Sequence, residues 1–288
     1  MEPRIVVGGL VFPEAPRWHD GRLWLSDIHA HRVMRLEADN TWTVVAELGD
    51  RPSGLGFLPD GTPLVVSLID RRLLRLDGGR ASVYADVSPL AGDFINDMVV
   101  DGEGRAYIGN RNPGSSPQNP IDTLILVQPD GRVQQVADGL SAPNGMVVTP
   151  DGTTLIVAET LLGRLTAFEI GSSGTLSGRR TFAQVEGQHA DGICLDAEGA
   201  VWIGSPGHGL FLRVREGGEV ADSVSVGDRW AVAPALGGAG RGTLYLLTAK
   251  TALANFEYLG LDRSRDGASQ SEGRVEAVDV AVPGAGWP

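Results

Sequence analysis

The sequence predicts an all-β chain folded as a six-bladed β-propeller and closed by pairing of the N-terminal strand with the last blade. Three observations predict it. An apolar–turn–apolar unit recurs six times, its turns are spaced by the length of a four-stranded blade, and turn-forming residues are abundant. Gly 40 and Pro 17 among 288 residues favour many short strands over helices. One domain spanning residues 1–288 is expected.

The six units are Glu14–Ile28, Ser53–Leu68, Asn96–Asn110, Asn144–Glu159, Asp191–Ser205 and Val232–Thr248. Their turn dipeptides are Asp20-Gly21, Asp60-Gly61, Glu103-Gly104, Asp151-Gly152, Glu198-Gly199 and Gly240-Arg241, which lie 40, 43, 48, 47 and 42 residues apart. Asp-Gly between two apolar runs is a hairpin signal, because Gly takes positive φ without steric cost. The second run of each unit is apolar at most positions, as a strand buried on both faces should be. Weaker strand pairs follow the units, such as Arg32–Leu36 with Thr43–Ala46 and Leu124–Val127 with Val133–Ala137. After the last unit, Arg274–Val282 supplies a third strand and Arg4–Val7 a fourth, which removes the open edge at the seam.

Composition narrows the function. The 24 basic and 36 acidic residues give a net charge of −12. A negative surface repels phosphate backbones and anionic lipid, so neither nucleic acid nor membrane is an expected partner. The single Cys194 excludes an internal disulfide, and it sits mid-strand as a buried apolar residue would. No apolar run approaches the roughly 20 residues of a membrane span, and MEPRIVVGGL lacks a signal-peptide layout. A cytoplasmic protein, monomeric or weakly homo-oligomeric, is the expectation.

The chemistry sits at one phase of the repeat. Ser53, Asn96, Asn144 and Asp191 each stand seven residues before the acidic turn residue, and Glu14 stands six before; the sixth copy is apolar near Ala233. Rotation about a propeller axis brings equivalent positions together at one end of the channel. Two carboxylates converging there repel unless a cation joins them. Oxygen ligands from Glu, Asp and Asn suit a hard ion. Ca²⁺ comes first, with Mg²⁺, Mn²⁺ or Zn²⁺ as alternatives, and no His or Cys stands in the set. The expected metal residues are Glu14, Asn144, Asp191 and Asn96.

The repeat and these residues resemble the senescence marker protein/gluconolactonase family, which includes sugar lactonases and, more distantly, diisopropyl fluorophosphatase and paraoxonase. The resemblance spans essentially the whole chain. It rests on Pro13-Glu14-Ala15-Pro16-Arg17-Trp18, Asn96-Asp97, Ala142-Pro143-Asn144-Gly145 and Ala190-Asp191-Gly192-Ile193. It implies a six-bladed propeller, metal ligation by Glu14, Asn144 and Asp191, and contact of Asn96 with substrate or metal. Sugar lactonases of the family often carry Arg where this chain has Phe94. An apolar ring cannot donate to sugar hydroxyls, so a less hydroxylated lactone is favoured. Ala15 also replaces a common Gly.

The expected function is therefore divalent-metal-dependent hydrolysis of a small lactone. A phosphotriester or fluorophosphate hydrolase on the same site and a non-catalytic ligand-binding propeller are the alternatives. A bound cation polarises a carbonyl oxygen and lowers the pKa of a water. Asp191, or the nearby Asp97, is the expected general base. Asn96, Phe94, Asn110 and Trp230 are the expected substrate contacts. The loops after the second strands should line the same face as the metal, the longest being Asn110–Pro120. His208 and Lys250 are placed on or near that face as ordinary loop residues. Trp18, Trp24 and Trp202 are expected to pack between blades.

Overall fold

The computed structural model describes residues 1–252 and 271–286. After β1 (Arg4–Leu10), the first blade is β2 (Pro13–His19), β3 (Arg22–Asp27), β4 (Arg32–Leu36) and β5 (Trp42–Glu47). The second is β6 (Pro52–Phe57), β7 (Pro63–Ser67), β8 (Arg72–Asp77) and β9 (Arg80–Asp86). The third is β10 (Phe94–Val100), β11 (Ala106–Arg111), β12 (Asp122–Val127) and β13 (Val133–Leu140). The fourth is β14 (Pro143–Val148), β15 (Thr154–Glu159), β16 (Arg164–Ile170) and β17 (Leu176–Gln184). The fifth is β18 (Ile193–Leu195), β19 (Val201–Ser205), β20 (Leu210–Val214) and β21 (Val220–Ser225).

The last blade consists of β22 (Trp230–Gly237), β23 (Thr243–Lys250), β24 (Glu272–Asp279) and the N-terminal β1. Arg4 pairs with Ala277 and Leu10 with Gly273, so the two chain ends share one antiparallel sheet. The seam is closed as the sequence predicts. The strand that follows the last unit is Glu272–Asp279, somewhat earlier than Arg274–Val282.

Innermost strands touch in the cyclic order β2, β6, β10, β14, β18, β22 and back to β2. Each of the six blade interfaces carries its own apolar cluster. Leu55 and Phe57 meet Trp24 and Val33 between the first two blades, for example, and Met34 and Leu25 meet Leu247 and Val275 across the seam. Among the described residues no helix is long and apolar enough to cross a membrane.

The three inner-strand tryptophans pack as expected. Trp18 stacks on Tyr245 of the last blade, at 5.5 Å between centroids. Trp24 meets Phe57 edge-on, and Trp202 is buried. Cys194 differs from expectation, being only partly buried. It faces a small cavity at the far end of the channel, lined also by Arg17, Trp18, Met146 and Ala285. The C-terminal segment closes that end, with Ala285 N donating to Leu195 O and Ala197 N to Pro283 O.

Candidate metal centre

At the opposite end of the channel, five of the six blades each bring one polar residue toward the axis. The positions are Glu14 on β2, Ser53 on β6, Asn96 on β10, Asn144 on β14 and Asp191 just before β18. Pairing of the first strand with the second slips at this level in five blades. The slips lie between Glu14 and Arg17, Pro52 and Leu55, Ile95 and Met98, Pro143 and Met146, and Ala231 and Ala233. Such a bulge adds one residue and turns a side chain away from the strand's ordinary alternation. The last slip identifies Val232, next to the expected Ala233, as the apolar sixth position.

The residues after the axial ones explain themselves. A Cβ on Gly145 would lie 2.5 Å from Ile193 N, and one on Gly192 would lie 2.2 Å from the Ala233 Cβ. These glycines serve the close approach of neighbouring innermost strands. Asn144-Gly145 is therefore no turn. Ala15 is the exception that carries strain, with φ of 48°. A left-handed backbone at that position accounts for glycine being the easier residue there.

Glu14 and Asp191 are buried. Burial, before any other cause, pushes both carboxyls well above the usual carboxylate range. Mutual repulsion adds to it: Asp191 and Asp97 raise Glu14, and Asp97 raises Asp191. Little opposes it. Ala15 N donates to Glu14 Oε2 at 3.0 Å, and the Asn144 carboxamide bonds to Asp191. Asp191 Oδ2 is buried with no hydrogen-bond partner among the described residues. Ser53 Oγ donates to Asn96 Oδ1 at 2.9 Å, which fixes that carboxamide.

This arrangement passes a test of fit to a hard divalent cation. Buried carboxylates are normally paired, yet here Asp191 Oδ2 has no donor among the described residues, and Asp191 stands beside the Asn144 carboxamide with the Glu14 and Asp97 carboxylates close enough to repel. Among the described residues no three His, Cys, Asp or Glu side chains form a ligand cluster. A cation held here would have to draw on amide oxygens such as those of Asn96 and Asn144 as well, a donor set that suits oxygen-seeking ions rather than zinc.

The remaining expected residues divide. Phe94 and Trp230 are partly exposed at the metal-side ends of β10 and β22, and Trp230 packs on Phe12, Ile28 and Ala249. Asp97 is buried and raised by burial, but Met98 N and Arg17 oppose the rise. Its Oδ1 accepts Met98 N at 2.8 Å, so part of it holds the bulge. His208 is exposed, and its Nδ1 is 3.1 Å from Ser205 Oγ. Lys250 is exposed beside Asp228. The loop after β11 folds on itself, with Asn119 bonded to Gly114 and Ser116.

Asn110 has a different task from the one expected. It is fully enclosed: Oδ1 accepts Gly92 N at 2.8 Å, and Nδ2 donates to Asn112 Oδ1 and Thr123 Oγ1. It belongs to a second ring that sequence reasoning missed. At or within two residues of the end of each second strand stands a polar, buried residue: Asp27, Ser67, Asn110, Glu159, Ser205 and Thr248. Asp27 accepts Phe12 N at 2.9 Å and pairs with Arg32. Glu159 accepts Ser141 N at 2.9 Å and pairs with Arg164. These residues pin the segment that leads into an innermost strand. The recurring polar residue closing an apolar run was the available signal.

A family model described as the SMP-30/Gluconolactonase/LRE-like region matches residues 12–250. The chain belongs to this family. Among its relatives, a 6-deoxy-6-sulfogluconolactonase of Pseudomonas putida is 27% identical, covering 96% of this chain and 94% of its own length. Regucalcin of Danio rerio is 26% identical over 86% of this chain and 84% of its own. The calcium-binding regucalcin of Agrobacterium tumefaciens shares the fold with a TM-score of 0.81, at 23% identity over 99% and 96% of the two chains. At the level of the family, this is a lactonase-type hydrolase.

Proposed function

We propose that this member of the family is a divalent-cation-dependent hydrolase of a small, sparsely hydroxylated lactone. The observation that carries the proposal is the pair of buried axial carboxylates, Glu14 and Asp191, with Asp191 Oδ2 lacking a hydrogen-bond partner among the described residues. Glu14, Asn144, Asp191 and Asn96 hold the cation, with Ca²⁺ as the first choice. A bound divalent cation would polarise the ester carbonyl and lower the pKa of a water. Asp191, a buried carboxylate whose Oδ2 takes no hydrogen bond among the described residues, accepts the proton of the attacking water. The acyl–oxygen bond then breaks, the leaving alkoxide takes that proton from Asp191, and the ring opens to a hydroxy acid. Asp97 holds the β10 bulge and so positions Asn96.

Phe94 and Trp230 bound the substrate on the metal side. An apolar wall there favours a lactone with few hydroxyls over the polar sugar lactones named for the relatives. The experiment is metal analysis of the purified protein, with turnover on γ- and δ-lactones before and after chelation. Bound divalent metal, with activity lost on chelation and restored on re-addition, is the expected result. Protein without metal, or turnover indifferent to chelation, overturns the reading.

A further inference from the structure

Arg17 has no counterpart in the ring logic described so far. It sits on β2, three residues beyond Glu14, and is 6% exposed. Its guanidinium crosses to the third blade, where Nη2 donates to Met98 O at 2.7 Å. Nη1 donates to Pro16 O at 2.8 Å, and Nη2 lies 3.8 Å from Asp97 Oδ1. On its other side the residue lines the small cavity at the far end of the channel. Arg17 therefore occupies the channel between that cavity and the axial carboxylates.

Its bonding is unusual for a buried arginine. Its hydrogen bonds to Pro16 and Met98 both go to carbonyls, and the Asp97 contact is longer than a hydrogen bond. The charge is left to act through space. Among the described residues Arg17 is the one cation acting on Glu14 and on Asp97, and it opposes the rise of both carboxyls. A guanidinium is a fixed charge across the ordinary pH range.

We propose that Arg17 is a built-in countercharge that sets which ion charge the axial site accepts, admitting a divalent cation and disfavouring a trivalent one. The inference rests on the cation site proposed above. Glu14, Asp97 and Asp191 ionised beside one guanidinium carry a formal charge of −2, which a divalent ion neutralises. Without the guanidinium the charge is −3, which suits a trivalent ion of similar size and the same preference for oxygen. Coulomb energy scales with ion charge, so losing Arg17 strengthens trivalent binding more than divalent binding.

Calorimetric titration of metal-free protein with Ca²⁺ and with Tb³⁺ tests this without any activity assay. In Arg17→Met, both ions should bind more tightly, and the preference for Tb³⁺ over Ca²⁺ should rise about tenfold. Arg17→Lys should keep the wild-type preference. An unchanged preference in Arg17→Met, or weaker Ca²⁺ binding, overturns the proposal and leaves Arg17 a structural link between β2 and β10. If Arg17→Met does not fold without metal, Asp97→Asn is compared with Arg17→Met/Asp97→Asn, which regains the wild-type charge. The preference for Tb³⁺ should then rise about tenfold from the single to the double variant, and equal values overturn the proposal. Failure of wild-type protein to bind either ion would instead overturn the cation site itself, and the role of Arg17 with it.

Discussion

Two rings of buried polar residues lie near the same end of this propeller, and they are built on opposite principles. In the outer ring, Glu159 accepts Ser141 N, Thr166 Oγ1 and the Arg164 guanidinium, and Asp27 is served as fully by Val11 N, Phe12 N and Arg32. In the axial ring, Glu14 and Asp191 are buried to a similar degree, but each faces other carboxylates, and Asp191 keeps a bare oxygen. Burying a charge is costly unless it is paired. The outer ring meets that cost with the protein's own donors and so stabilises the fold. The axial ring leaves it unmet, as a site built around an external cation should.

The largest expected effect tests the axial ring. Asp191→Asn should lower lactone turnover by about 10²- to 10⁴-fold, the range for loss of a general base. The same substitution should leave the metal-free protein at least as stable as wild type, because it removes a buried, uncompensated charge. Steady-state kinetics with a melting curve of the metal-free protein reads both. Unchanged turnover removes Asp191 from the chemistry, and a large loss of stability would make it an ordinary structural residue.

The outer ring should respond in the opposite way. Glu159→Gln places an amide against the Arg164 guanidinium and leaves that charge without its partner. Denaturant unfolding should show a loss of about 3 kcal/mol, with the affinity for Ca²⁺ unchanged. A variant as stable as wild type would dissolve the distinction between the rings.

Much of this contrast could be read from the sequence. Six repeats of one unit gave the blade count and the closure, because a hairpin turn and two apolar runs leave a local signature. The axial ring was legible because a single repeat phase collects Glu14, Ser53, Asn96, Asn144 and Asp191. The outer ring has a phase as well, but each member closes an apolar run and so reads as the start of a loop. Asn110 was assigned to the substrate for that reason. Arg17 was hidden for another. Its partner Met98 lies 81 residues away, on a strand that only closure of the propeller brings near. Cys194 looks buried on its strand, and only the geometry of the far end of the channel gives it a cavity to face.

Acidity offers a further test of the axial ring. Glu14, Asp97 and Asp191 have raised carboxyl pKa values in the metal-free protein, with burial as the first cause. A folded pKa above the unfolded one means the folded chain keeps protons that the unfolded chain releases. These groups therefore cost no stability below the ordinary carboxylate range, and the cost grows as pH rises through the raised values. A cation requires the ionised forms, so protons compete with it. The rise in Tm on adding Ca²⁺ should be larger at pH 8 than at pH 5, and Glu159→Gln should show the same trend. A shift equal at both pH values would place the cation elsewhere.

The smallest expected effect concerns the frame that aims Glu14. Ala15 holds a left-handed backbone at φ of 48°, and its N–H donates to Glu14 Oε2. A side chain in that region costs about 1 kcal/mol, and glycine avoids the cost while adding freedom to the unfolded chain. The two terms nearly cancel, so Ala15→Gly should change stability by less than about 1 kcal/mol. Its effect on the site should be larger in kind than in size. If strain at Ala15 fixes the Glu14 carboxylate, the glycine variant should bind Ca²⁺ a few-fold more weakly at unchanged stability. If affinity is unchanged, the bulge and the crowding of the innermost strands aim Glu14 without help from Ala15.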